Sequence, residues 1–370
     1  MKNSSIFSRW NLRQVVNASG TMTALGASRI VPEAQEAMTE IAGEFIHMDE
    51  LLDRASDAIQ RLTGAEAGFV TASVSSGLVV AMAACMTGAD RGRIMRLPDT
   101  EGLPTEAIIQ VGHLVDYGTT VELSLRLPGG KPVPVGSVSR THDFQIESAI
   151  NERTACVVYV VSHHTVQYGM VPLERVVEVA HARNIPVIVD AASEYDLRGF
   201  LEKGADIVIY SGHKFLGGPT SGMMAGRKDL IEACRLQNLG VGRPMKIGKE
   251  SIAGLIGALE AWEARDHAGI RRDEDRRIDA ILEGLSGVKG IAAQKIPDPT
   301  NNPLDRVVVH VFPEKAGMTA TELAEALANE PTPIVVRGHE AELGHFLLDV
   351  CNMRDGEETV VCEAIKRLVA

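Results

Sequence analysis

Runs of apolar residues that do not alternate with polar ones recur through the first two thirds of this 370-residue chain. Ala155-Cys156-Val157-Val158-Tyr159-Val160-Val161, Ile185-Pro186-Val187-Ile188-Val189 and Ile207-Val208-Ile209-Tyr210 each suit a strand covered on both faces. Helix-patterned stretches separate such runs, among them 75–86, 144–150 and 173–183. Strands of this kind alternating with helices predict an α/β fold around a parallel sheet. Shorter segments at 68–71, 93–97, 107–111 and 120–123 read as further strands, and 32–43 and 48–62 as helices. Glycines and prolines at 126–136 read as a loop.

Two of the runs end in residues with chemistry. The strand at 185–189 ends in Asp190, and the strand at 206–210 runs into Ser211-Gly212-His213-Lys214, followed by Phe215-Leu216-Gly217-Gly218-Pro219. In parallel α/β sheets, ligands collect at the carboxyl ends of strands. A lysine leaving a buried strand into a glycine-rich loop is placed where its amine can be desolvated and made nucleophilic. A carboxylate on a neighbouring strand is what a pyridine ring nitrogen needs to keep its proton. Together Asp190 and Lys214 point to pyridoxal phosphate, with Lys214 forming the Schiff base and moving a proton at the substrate α-carbon. The sequence Ser73-Val74-Ser75-Ser76-Gly77, at a strand-to-helix junction, offers hydroxyls and helix N-terminal N–H groups of the kind that hold a phosphate. Plain serine capping would produce the same residues.

Composition excludes some classes. The net charge of -12 opposes general nucleic-acid binding, and any anionic ligand must meet a local cluster of cations. Cys85, Cys156, Cys234, Cys351 and Cys362 form no C-x-x-C pair, so they read as core residues in a reducing compartment. The first ten residues lack the apolar core of a signal peptide, and the longest apolar stretch is too short for a bilayer. A cytoplasmic protein with no membrane contact is the expectation. Domain boundaries are expected as an N-terminal arm (1–16), a large domain (17–248), a connecting helical segment (249–285) with its charges mostly solvated, and a small C-terminal α/β domain (286–370). In that small domain, 306–312, 334–337 and 345–350 read as strands, with helices at 319–329 and 357–369.

The run from Ile209 through Pro219, continuing Ser221-Gly222-Met223-Met224-Ala225-Gly226-Arg227, resembles the selenocysteine synthase-like branch of fold type I pyridoxal phosphate enzymes. Within that branch the chain is most similar to the D-glucosaminate-6-phosphate ammonia-lyase group. Supporting stretches are Asn17-Ala18-Ser19-Gly20-Thr21, Thr87-Gly88, Ile109-Gln110-Val111-Gly112-His113 and Gly242-Arg243-Pro244-Met245-Lys246-Ile247-Gly248-Lys249-Glu250. The resemblance implies a large domain with a mostly parallel seven-stranded sheet. It implies Lys214 as the Schiff-base lysine, Asp190 as the pyridinium partner, and Ser73, Val74, Ser75, Ser211 and His213 around the cofactor phosphate. Either Gln110 or His113 would press on the ring face. It implies a homodimer or larger homo-oligomer with shared active sites, so that Arg243 could serve a neighbouring chain. Bacterial selenocysteine synthases carry a further N-terminal region for tRNA; this chain starts almost at the catalytic domain and is acidic, so tRNA is not an expected partner.

Further residues are candidates. His164 or Thr165, in Ser162-His163-His164-Thr165, could serve as an acid for a leaving group; adjacent histidines on a strand would face opposite ways, and no metal site is expected. Arg243 and Lys246, with Lys249 near them, could clasp an anionic substrate, and Arg337 could grip its α-carboxylate bidentately. The expected reaction is α,β-elimination of a β-hydroxy amino acid, in the family's case a phosphorylated sugar amino acid, giving ammonia and a 2-oxo acid. Retro-aldol cleavage, racemisation and transamination or another transfer use the same cofactor. A non-catalytic or tRNA-binding protein is the alternative of another class.

Overall fold

The apolar runs become strands buried along nearly their whole length in the computed structural model, which describes residues 5–370. Strand β1 (Val16–Ala18) is set apart from the next seven. These are β2 (Ala67–Thr71), β3 (Glu106–Gln110), β4 (Lys131–Val135), β5 (Thr154–Val160), β6 (Val187–Asp190), β7 (Ile207–Ser211) and β8 (Gly222–Gly226), and they form one sheet in the order β2-β8-β7-β6-β5-β3-β4. Pairs from β4 through β7 are parallel; β8 is antiparallel to both β7 and β2. The mostly parallel seven-stranded sheet is therefore present. Val160 pairs with Asp190, and Asp190 with Ile209, so the loops leaving β5, β6 and β7 open along one edge.

Three local expectations are corrected. Segment 93–97 lies largely in a helix, Arg91–Arg96, begun by Asp90, whose carboxylate accepts the Arg93 N–H at 3.1 Å. Of segment 120–123, Thr120 is the N-cap residue and the rest begins the helix Val121–Arg126. The stretch read as a loop at 126–136 contains β4, the outermost strand, paired only with β3. Pro132 and Pro134 have no N–H to give, which an edge strand tolerates on its open side.

The chain divides into two compact units, Arg29–Arg265 and Asp266–Ala370 with the N-terminal segment up to Ser28. The break differs from the boundary expected near Lys249. Segment 249–285 is two helices, Lys249–Ala264 and His267–Leu285, separated at Arg265 and Asp266. Asp266 starts the second by accepting the Gly269 N–H at 2.8 Å. Ile252, Leu255, Leu259 and Trp262 of the first helix join the core of the larger unit; Ile278, Ile281 and Leu285 of the second join that of the smaller. Residues 1–4 of the expected arm lie outside the described residues.

The smaller unit holds β9 (Ile291–Pro297), β10 (Asp305–Val311), β11 (Ile334–Val336) and β12 (His345–Leu348). β9, β10 and β12 form an antiparallel sheet in the order β12-β10-β9, and β1 pairs with β11 in parallel. β9 escaped the sequence reading because most of its residues are exposed or half-buried and carry no apolar pattern. Among the described residues no helix is long and apolar enough to cross a membrane.

Candidate active site

Asp190 ends β6, and Lys214 lies three residues beyond the end of β7, its parallel neighbour. The Asp190 side chain is only 5% exposed, and one carboxylate oxygen accepts the Ala192 N–H at 3.1 Å. Burial pushes its pKa up to about 6, against the opposing pull of that N–H and of the Lys214 cation. The Lys214 ammonium donates to Ser193 Oγ. Ser193 was missed from sequence, although its place three residues after Asp190, in a polar loop at a strand end, was a usable signal. The loop is tied to β7 by Ala191 N–H to Ile209 C=O (3.0 Å) and Ser211 N–H to Ala192 C=O (3.3 Å).

Backbone bonds close the Lys214 loop on itself. Gly212 N–H donates to Ser221 C=O (2.9 Å), Gly218 N–H to Gly212 C=O (2.7 Å) and Gly217 N–H to Lys214 C=O (3.1 Å). Gly217 has φ +72°, a left-handed conformation that glycine adopts without strain. Inside the loop Ser211 Oγ and His213 Nδ1 are hydrogen-bonded at 2.9 Å. Burial first, and the Lys214 charge second, lower the His213 pKa to about 4, so its imidazole is neutral near pH 7.

The start of the helix Val74–Thr87 comes to the same sheet edge. Ser76 N–H donates to Ser73 Oγ (3.1 Å) and Ser73 N–H to Ser76 Oγ (2.8 Å), a reciprocal cap. The N–H groups of Val74 and Ser75, in the first turn, have no acceptor within the helix. The approach is close because Gly222 has no side chain: a Cβ there would sit 2.4 Å from Ser73 O, and Gly222 pairs with Ser211 across β7 and β8. Ser73 and Ser211 are thus brought together. Tyr117 joins them, its hydroxyl 3.4 Å from Ser75 Oγ. Burial raises its phenol pKa, and the Asp190 charge adds to the shift while hydrogen bonds to Ser75 and Ser124 oppose it. Nothing in the sequence marked Tyr117, which is delivered by a turn.

The other candidates are placed differently. Gln110 is committed to the main chain of Val171, donating to its C=O (3.1 Å) and accepting from its N–H (2.7 Å). His113, 3% exposed, accepts the Val160 N–H on Nδ1 at 3.2 Å and meets Tyr159 edge to face at 4.5 Å. Burial lowers its pKa to about 4. His163 and His164 are not on a strand: β5 ends at Val160, and Ser162 caps a turn by accepting the His164 N–H on Oγ (3.2 Å) and the Thr165 N–H on its C=O (3.1 Å). Their rings lie 3.8 Å apart instead of on opposite faces. Arg243 and Lys246 are exposed, whereas Lys249 donates to the C=O groups of Ala42 (3.1 Å) and Glu44. Arg337 belongs to the smaller unit, 4.0 Å from Asp349, which is bound by Arg306 at 2.7 Å. Burial, then Arg306, pulls the Arg337 pKa below its usual value.

A mostly parallel sheet with a strand-end carboxylate beside a lysine on the next strand is the arrangement of the fold type I pyridoxal phosphate enzymes, and aminotransferase structures share this fold at lower sequence identity. The chain belongs to the L-seryl-tRNA selenium transferase (SelA) family, whose model matches residues 15–271. It is 38% identical to D-glucosaminate-6-phosphate ammonia lyase of Salmonella typhimurium, over 98% of each chain. It is 37% identical to a 5'-C-glycyluridine monooxygenase-decarboxylase of Streptomyces sp, over 94% of this chain and 88% of the relative. A solved structure of D-glucosaminate-6-phosphate ammonia-lyase matches with a TM-score of 0.88 and 37% identity, over 99% of this chain and 98% of that one.

Proposed function

We propose that the chain is a pyridoxal phosphate-dependent ammonia-lyase. It would eliminate a β-hydroxyl from an amino acid, with a phosphorylated sugar amino acid such as D-glucosaminate 6-phosphate as the substrate class, and release ammonia and a 2-oxo acid. The observation that carries this reading is the buried Asp190 carboxylate beside the Lys214 amine on adjacent strand ends.

The residues present fit the cofactor chemically. A carboxylate whose burial outweighs the attraction of the Lys214 cation gains from a protonated ring nitrogen placed against it. The Val74 and Ser75 N–H groups, with Ser73, Ser211 and neutral His213, make a donor set for a phosphate dianion. Lys214 would hold the aldehyde carbon, and His113, with Gln110 committed to Val171, is the better candidate for the ring face. When bound, pyridoxal phosphate supplies a carbonyl that captures the substrate amine and a ring that stores the electrons released at the α-carbon. Lys214, its amine steadied by Ser193, would take the α-proton. His164, in the turn after β5, would protonate the departing hydroxyl. Arg243 and Lys246, exposed in this chain, would meet substrate anions in an assembly of copies.

The test is a screen of β-hydroxy and phosphorylated amino acids with cofactor-saturated protein. D-Glucosaminate 6-phosphate is expected to give ammonia and a 2-oxo acid in equal amounts. Glycine plus an aldehyde would indicate aldol cleavage instead. The Streptomyces relative, at nearly equal identity, supports a second reading, oxygen-dependent decarboxylation on the same residues. Oxygen uptake with carbon dioxide and no ammonia would select it.

A further inference from the structure

Arg265 lies in the segment 249–285 whose charges are expected to be mostly solvated, yet it is half-buried against the Lys214 loop. Its two terminal nitrogens donate to consecutive carbonyls, those of Phe215 (2.9 Å) and Leu216 (3.1 Å), the residues that directly follow Lys214. The guanidinium lies 4.7 Å from the ring centroid of Trp262, which is 6% exposed. Trp262 in turn meets Tyr195 at 4.4 Å, and Tyr195 meets Phe215 at 5.7 Å. Tyr195 is two residues past Ser193 and Phe215 is next to Lys214. One cluster therefore grips both loops, the one carrying the serine and the one carrying the amine.

We propose that Arg265 is a positioning residue: its fork on the Phe215 and Leu216 carbonyls, braced on Trp262 and Tyr195, sets where the Lys214 amine stands relative to Ser193 and Asp190. The geometry suits arginine in particular. A planar guanidinium can serve two adjacent carbonyls while its face rests on an indole, and a lysine ammonium can keep the second contact but not the two-pronged first. The Lys214 C=O is itself bonded to Gly217 N–H, so a shift of the two intervening carbonyls is passed to the Lys214 backbone. Misplacement of a reacting group by about 1 Å costs on the order of a hundredfold in rate.

This inference rests on the reading that Lys214 holds pyridoxal phosphate. The experiment compares wild type with Arg265→Lys, both saturated with pyridoxal phosphate. Four quantities are measured: the pH midpoint of the visible absorption band, kcat and KM for ammonia release from D-glucosaminate 6-phosphate, and the melting temperature. Expected for the variant are a midpoint moved by roughly half a pH unit or more and kcat lower by about 10- to 100-fold with KM changed less than about threefold. A folded variant with the wild-type midpoint and kcat, whatever its melting temperature, overturns the proposal and leaves Arg265 a purely structural residue. Should Arg265→Lys not fold, Trp262→Phe carries the same test, because it keeps an aromatic ring on Tyr195 and weakens the cation–π brace. It is expected to move the midpoint and lower kcat in the same sense, and unchanged values overturn the proposal. If wild type with pyridoxal phosphate shows no visible band, the reading of Lys214 falls and this inference with it. A normal band in wild type with indifferent variants removes this inference alone.

Discussion

Lys214→Ala is expected to lower ammonia release by about a thousandfold or more, since on the proposed function it removes both the group that would carry the cofactor and the base that would act at the α-carbon. The variant should fold. Lys214 sits on a loop closed by its own backbone bonds through Gly212, Gly217 and Gly218, none of which uses the side chain. Its removal also takes away a cation whose charge lowers the Asp190 pKa, so the Asp190 carboxyl should titrate still higher than in wild type. Lys214→Arg separates charge from chemistry: a guanidinium keeps the cation but stays protonated and cannot attack a carbonyl, so it should be as inactive as alanine. Borohydride reduction followed by peptide mapping supplies the direct check. A label on the wild-type peptide containing position 214, absent from both variants, is the expected result; a wild-type label elsewhere would end this assignment.

Asp190→Asn is expected to cut kcat by about a hundred- to ten-thousandfold while leaving cofactor attached through Lys214. Asparagine has nearly the same shape and can still accept the Ala192 N–H, but it cannot balance a protonated ring nitrogen. Stability should respond in a way that activity does not. In cofactor-free protein the Asp190 carboxyl has its pKa raised to about 6 from the usual 3.8, so the folded state keeps a proton that the unfolded chain gives up. The stability this contributes is fully present below about pH 4 and is lost as the pH rises through 6. The loss amounts to roughly 3 kcal/mol at most. Asparagine carries no such proton, so cofactor-free wild type should lose melting temperature relative to Asp190→Asn between pH 4 and pH 7. A difference that stays flat across that range would mean that burial does not set the Asp190 titration.

The components of the candidate site that were visible in the sequence are those whose signal is local. Asp190 and Lys214 stand at the ends of apolar runs long enough to be recognised as buried strands, and a strand end in an α/β sheet is a known address for chemistry. The serines at 73, 75 and 76 announced a helix start by type alone. Misreadings came where local signals conflict with context. Pro132 and Pro134 argued against a strand, and only the position of β4 at the sheet edge made them acceptable. The charges of segment 249–285 suggested solvent, but Arg265 is turned inward by two carbonyls and an indole ring.

The order of apolar runs, helices and turn residues was by itself enough to determine a doubly covered parallel sheet with a carboxylate and an amine on its working edge, because hydrophobic periodicity is a property of neighbours along the chain. Tertiary structure alone decided that Ser193 meets the Lys214 amine, that Tyr117 reaches Ser75, that Gln110 is spent on Val171 and that Arg265 braces the lysine loop. Ser193 and Lys214 are 21 positions apart, Ser75 and Tyr117 42, Phe215 and Arg265 50. Contacts at such separations depend on how the sheet is ordered and twisted and on which loops close over its edge, and no pattern of adjacent residues encodes them.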